Sequence, residues 1–122
     1  MEATKFSWKQ RARSFQFAWQ GIVQFFRSQH NALLHGMATV GVIFLGLWKH
    51  ISLSEWLFII AMIGLVWMAE LFNTAIETLC NMVYPGQHPQ VKVIKDAAAA
   101  AVLVIAVAAL VTGCIIFIPK FI

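Results

Sequence analysis

The sequence predicts an all-α membrane protein, an amphipathic N-terminal surface helix followed by three transmembrane helices, on three observations. Of its 122 residues, 61% are hydrophobic and 11% charged, against roughly 25% charged in an ordinary soluble domain. Three apolar runs, at 32–48, 53–84 and 94–118, follow one another with short polar breaks. Each is long enough, with its flanks, to cross about 30 Å of hydrocarbon. Ahead of them, residues 5–27 repeat apolar side chains at helical spacing. The whole chain, 1–122, reads as one domain. No small-residue cleavage site follows the first apolar run, so no signal peptide is expected.

In the surface helix, Trp8, Ala12, Phe15, Trp19, Ile22 and Phe26 fall on one face. Lys9, Gln10, Arg13, Gln16, Gln20, Gln24 and Arg27 fall opposite. A basic helix with aromatics on its apolar face lies along a membrane surface or caps a bundle. The first span is broken only by His35 and Thr39, and His35, near its start, reads as an interfacial or hydrogen-bonded group rather than a chemical one. Lys49, His50 and Ile51 form a turn. Ser52 with Glu55 three residues later matches a capping box, which makes Glu55 a helix-start residue and not a site candidate.

The second helix, 53–84, is about 48 Å long at 1.5 Å per residue, so one end protrudes from the bilayer. Pro85, Gly86 and Pro89 stop it and make the one real loop. The third helix, 94–118, opens on Lys95 and Asp96, continues through five alanines that let a neighbouring backbone come close, and ends at Pro119. Asp96 in a first turn also complements the positive end of the helix. Cys80 and Cys114 fall near opposite ends of adjacent spans, too far apart for a disulfide.

Basic residues orient the chain. Lys5, Lys9, Arg11, Arg13, Arg27, Lys92 and Lys95 stand on one side, and Lys49 and Lys120 on the other, which puts the N-terminus and the Pro85 loop in the cytoplasm. The net charge of +4 suits anionic headgroups and nucleotide phosphate. No basic and aromatic motif for nucleic acid is present.

Within the second span Glu70, Asn73, Glu77 and Asn81 fall on one stripe about 80° wide. An ionisable group at membrane depth costs on the order of 2.5 to 3.5 kcal/mol, so two on one stripe ask for a reason. Glu70, just inside the apolar layer, fits a general base, because desolvation disfavours its ionised form. Glu77, nearer water, fits a hard divalent cation that keeps several waters and binds phosphate oxygens, with Asp96 across the loop. Asn73 would orient a hydroxyl or phosphate, and Lys95 would act as a point charge on phosphate. The constellation suggests phosphoryl transfer from a nucleotide to the hydroxyl of a membrane lipid. There is no GxxxxGK[ST] loop, so the nucleotide site is of another kind.

The segment Glu-Leu-Phe-Asn-Thr-Ala-Ile-Glu at Glu70–Glu77, His88-Pro89, the run from Lys95 to Val102 and the closing Ile-Phe-Ile-Pro-Lys resemble the small prokaryotic diacylglycerol kinase and undecaprenol kinase family over nearly the whole chain. The resemblance implies a homotrimeric enzyme of the bacterial cytoplasmic (inner) membrane that uses ATP and Mg2+, with sites shared between protomers. It implies Glu70 as catalytic base with Asn73 organising the site. Gln10, Arg13, Gln29, Glu77, His88, Lys95 and Asp96 are the expected ATP contacts, Phe15, Trp19, Glu70 and Ala99 the expected lipid contacts, and Glu77 and Gln29 the metal ligands. Three positions depart from the family pattern: Gln29 and Asn81 stand where acids are common, and Gln10 where an Arg is common. On them turn metal affinity and nucleotide preference. Undecaprenol and diacylglycerol are both open as substrates, the wording of the motifs leaning to the former. Two other readings also stay open, a proton-coupled transporter using Glu70 and a catalytically inactive family member.

Overall fold

The computed structural model describes residues 5–122, and residues 1–4 of the expected single domain lie outside the described residues. These form four α-helices: α1 (Trp8–Ser28), α2 (His30–Trp48), α3 (Leu53–Val83) and α4 (Pro89–Phe121). No strand occurs among the described residues. The last three helices are long and apolar enough to cross a membrane. The chain divides into two compact units, Met1–Leu34 and His35–Ile122.

In the first unit, α1 starts three residues later than expected because Ser7 caps it, its Oγ accepting from the Gln10 backbone N–H at 3.4 Å. Gln29 adopts an extended conformation after Ser28 and donates its backbone N–H to the Phe25 carbonyl at 3.0 Å, closing α1. The chain resumes helix at once, so α2 begins at His30 rather than at residue 32.

In the second unit, α2 ends in a Schellman turn. The Ile51 N–H reaches the Gly46 carbonyl at 3.2 Å while His50 takes a left-handed φ of 51°. The capping box then launches α3: Ser52 Oγ accepts from the Glu55 N–H at 3.2 Å, and Glu55 Oε1 accepts from the Ser52 N–H at 2.9 Å. Beside this turn sits the core, Ile51, Ile59, Ile116 and Phe117, with Val42, Leu45, Trp56 and Ile63 packed against it. The core therefore joins the end of α2, the start of α3 and the end of α4.

Both proline expectations for α4 need correction. Pro89 does not stop structure but opens the helix, five residues ahead of residue 94. It occupies the first turn, where its missing N–H costs nothing, and His88 caps it by accepting from the Gln90 N–H at Nδ1, 3.1 Å away. Pro119 lies inside the last turn, and the helix runs on to Phe121. Little helix follows it, so few bonds are lost. The Lys120–Glu55 ion pair at 3.1 Å and the packing of Phe121 on Trp48 hold that turn in place. At the other end a short loop lets α4 return closely packed along α3, its alanines keeping the two backbones near each other.

Candidate active site

Glu70 is the one buried charged residue among the described residues, 8% exposed. Its Oε1 lies 2.7 Å from Nε2 of His35 on α2. A carboxylate withdrawn from water needs a charged or hydrogen-bonding partner to stay where it is. His35 is that partner, the hydrogen-bonded one of the two alternatives its position suggested. One turn along, Trp67 Nε1 donates to Thr39 Oγ1 at 2.9 Å, and Thr39 Oγ1 donates to the His35 carbonyl at 2.7 Å.

Further along the stripe, Asn73 Nδ2 faces Glu77 Oε1 at 3.4 Å. Asn73 Oδ1 is buried without a partner, a costly state for an amide oxygen unless something else supplies a donor or a cation. Glu77 is half-buried and has no ion-pair partner among the described residues. Lys95 reaches across from α4 to Asn81, Nζ to Oδ1 at 2.6 Å. The stripe thus splits in three: Glu70 turns to α2, Asn73 and Glu77 to each other, Asn81 to α4.

Asp96 pairs with Lys92 one turn earlier on α4. His88, Lys92, Lys95 and Asp96 line an open depression of about 640 Å³ beside the loop, with Gly86 and Gln87. Glu77 on α3 and Asp96 on α4 each have a polar partner on their own helix, Asn73 and Lys92. Among the described residues no three His, Cys, Asp or Glu side chains gather as a metal cluster.

The remaining candidates lie on α4 and, in the first unit, on α1 and its cap. Ala99 is exposed on α4, next to buried Ala98. In the first unit Phe15 and Trp19 are 79% and 66% exposed, and Arg13 is exposed. Gln10 helps line a depression of about 350 Å³ with Lys5 and Arg11, while Gln29 is the cap of α1. Two pairings were not assigned from the sequence, His35 with Glu70 and Lys92 with Asp96. Lys92 was readable from its four-residue spacing to Asp96. For His35 the signal was a lone imidazole in an apolar run at a depth comparable to that of Glu70: about 20 Å from the α2–α3 turn against about 26 Å, at 1.5 Å per residue.

The arrangement offers a buried, oriented carboxylate, a carboxylate–amide pair with an unsatisfied amide oxygen, and a basic depression at the start of α4. Comparison with known proteins gives it a context. The family model described as prokaryotic diacylglycerol kinase matches residues 16–117. An undecaprenol kinase of Bacillus subtilis (strain 168) is 39% identical over 108 residues, 88% of this chain and 88% of that protein. A diacylglycerol kinase of Synechocystis sp. is 34% identical over 107 residues, 87% of this chain and 61% of that protein.

Proposed function

The chain belongs to the prokaryotic diacylglycerol kinase family, and on that premise we propose that it transfers the γ-phosphoryl group of ATP to the hydroxyl of undecaprenol, with diacylglycerol as the alternative acceptor. It is an integral membrane lipid kinase with a nucleotide phosphoryl donor, and the transporter reading falls away. The observation that carries the finer proposal is Glu70, a buried carboxylate fixed between two helices where a lipid hydroxyl would meet the edge of the apolar layer. Support for undecaprenol comes from the higher identity to the relative of that name.

In the proposed reaction Glu70 takes the proton of the lipid hydroxyl as its oxygen forms a bond to the γ-phosphorus. The bond from that phosphorus to the bridging oxygen breaks, and ADP leaves with the electron pair. Phosphoryl transfer asks mostly for positioning and charge neutralisation. Asn73 accepts from an O–H donor, a hydroxyl or a water, through its unsatisfied carbonyl, and Lys95 turns from the neutral Asn81 to phosphate. His88, Asp96, Gln10, Arg13 and Gln29 complete the nucleotide contacts, and Phe15, Trp19 and Ala99 the lipid contacts. The donor set fits a hard cation, since the half-buried Glu77 carboxylate lies beside Asn73, whose buried oxygen is unsatisfied, and Mg2+ is held by one or two carboxylates together with waters and phosphate. Glu77, with Gln29 in the family's second ligand position, would hold Mg2+, which neutralises the charge on the transferring phosphoryl group. The active form in this reading is a homotrimer in the bacterial inner membrane, with the N-terminus and the 84–88 loop cytoplasmic.

The test is a panel assay of purified protein in lipid, offering undecaprenol, diacylglycerol and ceramide with ATP and Mg2+. Phosphorylation of undecaprenol above the others is expected, and Glu70→Gln should lower it by at least about 10²-fold, the lower end of general-base effects, with folding intact. A variant as active as the parent removes Glu70 as the base.

A further inference from the structure

We propose that His35 is a positioning residue for the phosphoryl-transfer site, holding one oxygen of Glu70 so that the other is left to take the lipid hydroxyl proton. The proposal deepens the kinase reading and rests on Glu70 being the base. An imidazole presents a single nitrogen to a carboxylate, whereas an arginine fork takes both oxygens. The contact is of the first kind: His35 Nε2 meets Glu70 Oε1 at 2.7 Å. Nothing else ionisable competes for it from the packed helices. Between Ala97 and Gly113 α4 carries no titratable side chain, and on α3 itself Glu77 is the nearest, two turns away.

The ring is held in turn. Trp67 stands edge-on to it with centroids 6.3 Å apart, and Trp67 is tied to Thr39, which is tied to the His35 carbonyl. Two residues on each helix, one turn apart, therefore make a clip that fixes both the imidazole and the carboxylate it touches. Orientation of this kind is what a base needs before a substrate arrives. His35 also lines a cavity of about 210 Å³ with Thr39, Trp67 and small apolar side chains of α4. It is thus not sealed in a packed core, as a histidine serving helix contact alone would be.

The experiment measures kcat and KM for ATP and for the lipid alcohol in the parent, His35→Ala, His35→Gln and His35→Asn, each with a thermal unfolding curve. The glutamine amide N–H spans to Glu70, and the shorter asparagine stops one bond short. His35→Ala and His35→Asn should lose roughly 10- to 100-fold in kcat, the scale of lost orienting partners, with KM for ATP unchanged, and His35→Gln should recover most of the loss. Equal rates in the Gln and Asn variants, or a parent-like kcat in His35→Ala, overturn the proposal while leaving the kinase reading in place. Should His35→Ala not fold, the Gln and Asn pair decides. A parent protein inert toward every alcohol removes the kinase reading and this proposal together.

Discussion

The two ends of the second unit handle polar groups in opposite ways. At the α2–α3 turn they are matched inside the chain. Glu55 takes the Ser52 N–H and Lys120, and Lys49 sits over the rings of Trp48 and Phe121 at 4.6 and 4.1 Å. The apolar core lies against that end. Toward the α3–α4 loop Asn73 Oδ1 is unsatisfied, Glu77 has no ion-pair partner among the described residues, and Lys95 rests on a neutral amide. A protein selected for stability alone would satisfy both ends alike. The first end holds the helices together, and the second, with the Glu70–His35 pair between them, carries the groups that the proposed reaction would use on phosphate and cation.

That contrast breaks most visibly if Glu77 proves structural. Glu77→Gln keeps the shape and the contact with Asn73, so thermal stability should stay at the parent value. Phosphoryl transfer should fall on the order of 100-fold, recovering in part at high Mg2+. Unfolding curves and a magnesium titration of the rate check both halves. A large loss of stability with unchanged magnesium dependence would assign Glu77 to the fold and erase the difference between the two ends.

What could be read beforehand follows the same division. The capping box at Ser52 and Glu55 and the stripe from Glu70 to Asn81 are local, fixed by spacing along one helix, and both were legible. The Glu70–His35 pair depends on how α2 and α3 are rotated and offset against each other, which no spacing within either helix encodes. The pairing of Asp96 with Lys92 turns on a helix boundary: α4 begins at Pro89 and not near residue 94, so Lys92 lies in the helix one turn before Asp96. Proline was read only as a stop, although in a first turn it starts a helix.

At the closed end, packing is tight enough to measure. A Cβ on Gly46 would lie 2.6 and 2.8 Å from the ring carbons of Trp56. Gly46→Ala should therefore destabilise by about 1–3 kcal/mol through overpacking, seen as a lower unfolding midpoint. Activity per folded molecule should be unchanged, because the strain falls at the α2–α3 turn, away from Glu70 and Glu77 along α3. A loss of kcat without a loss of stability would show that the two ends are coupled.

The smallest effect sharpens the comparison from the other side. His50 holds a φ of 51°, a conformation that costs a residue with a Cβ about 1–2 kcal/mol and glycine almost nothing. Glycine gives back part of that gain through the greater freedom of its unfolded chain. His50→Gly should then stabilise by about 0.5 kcal/mol, and His50→Ala, which keeps the Cβ, should not. Because the turn closes only the end where α2 and α3 are held together, neither change should alter the rate of phosphoryl transfer. If both variants shift stability alike, the histidine ring and not its backbone governs the turn.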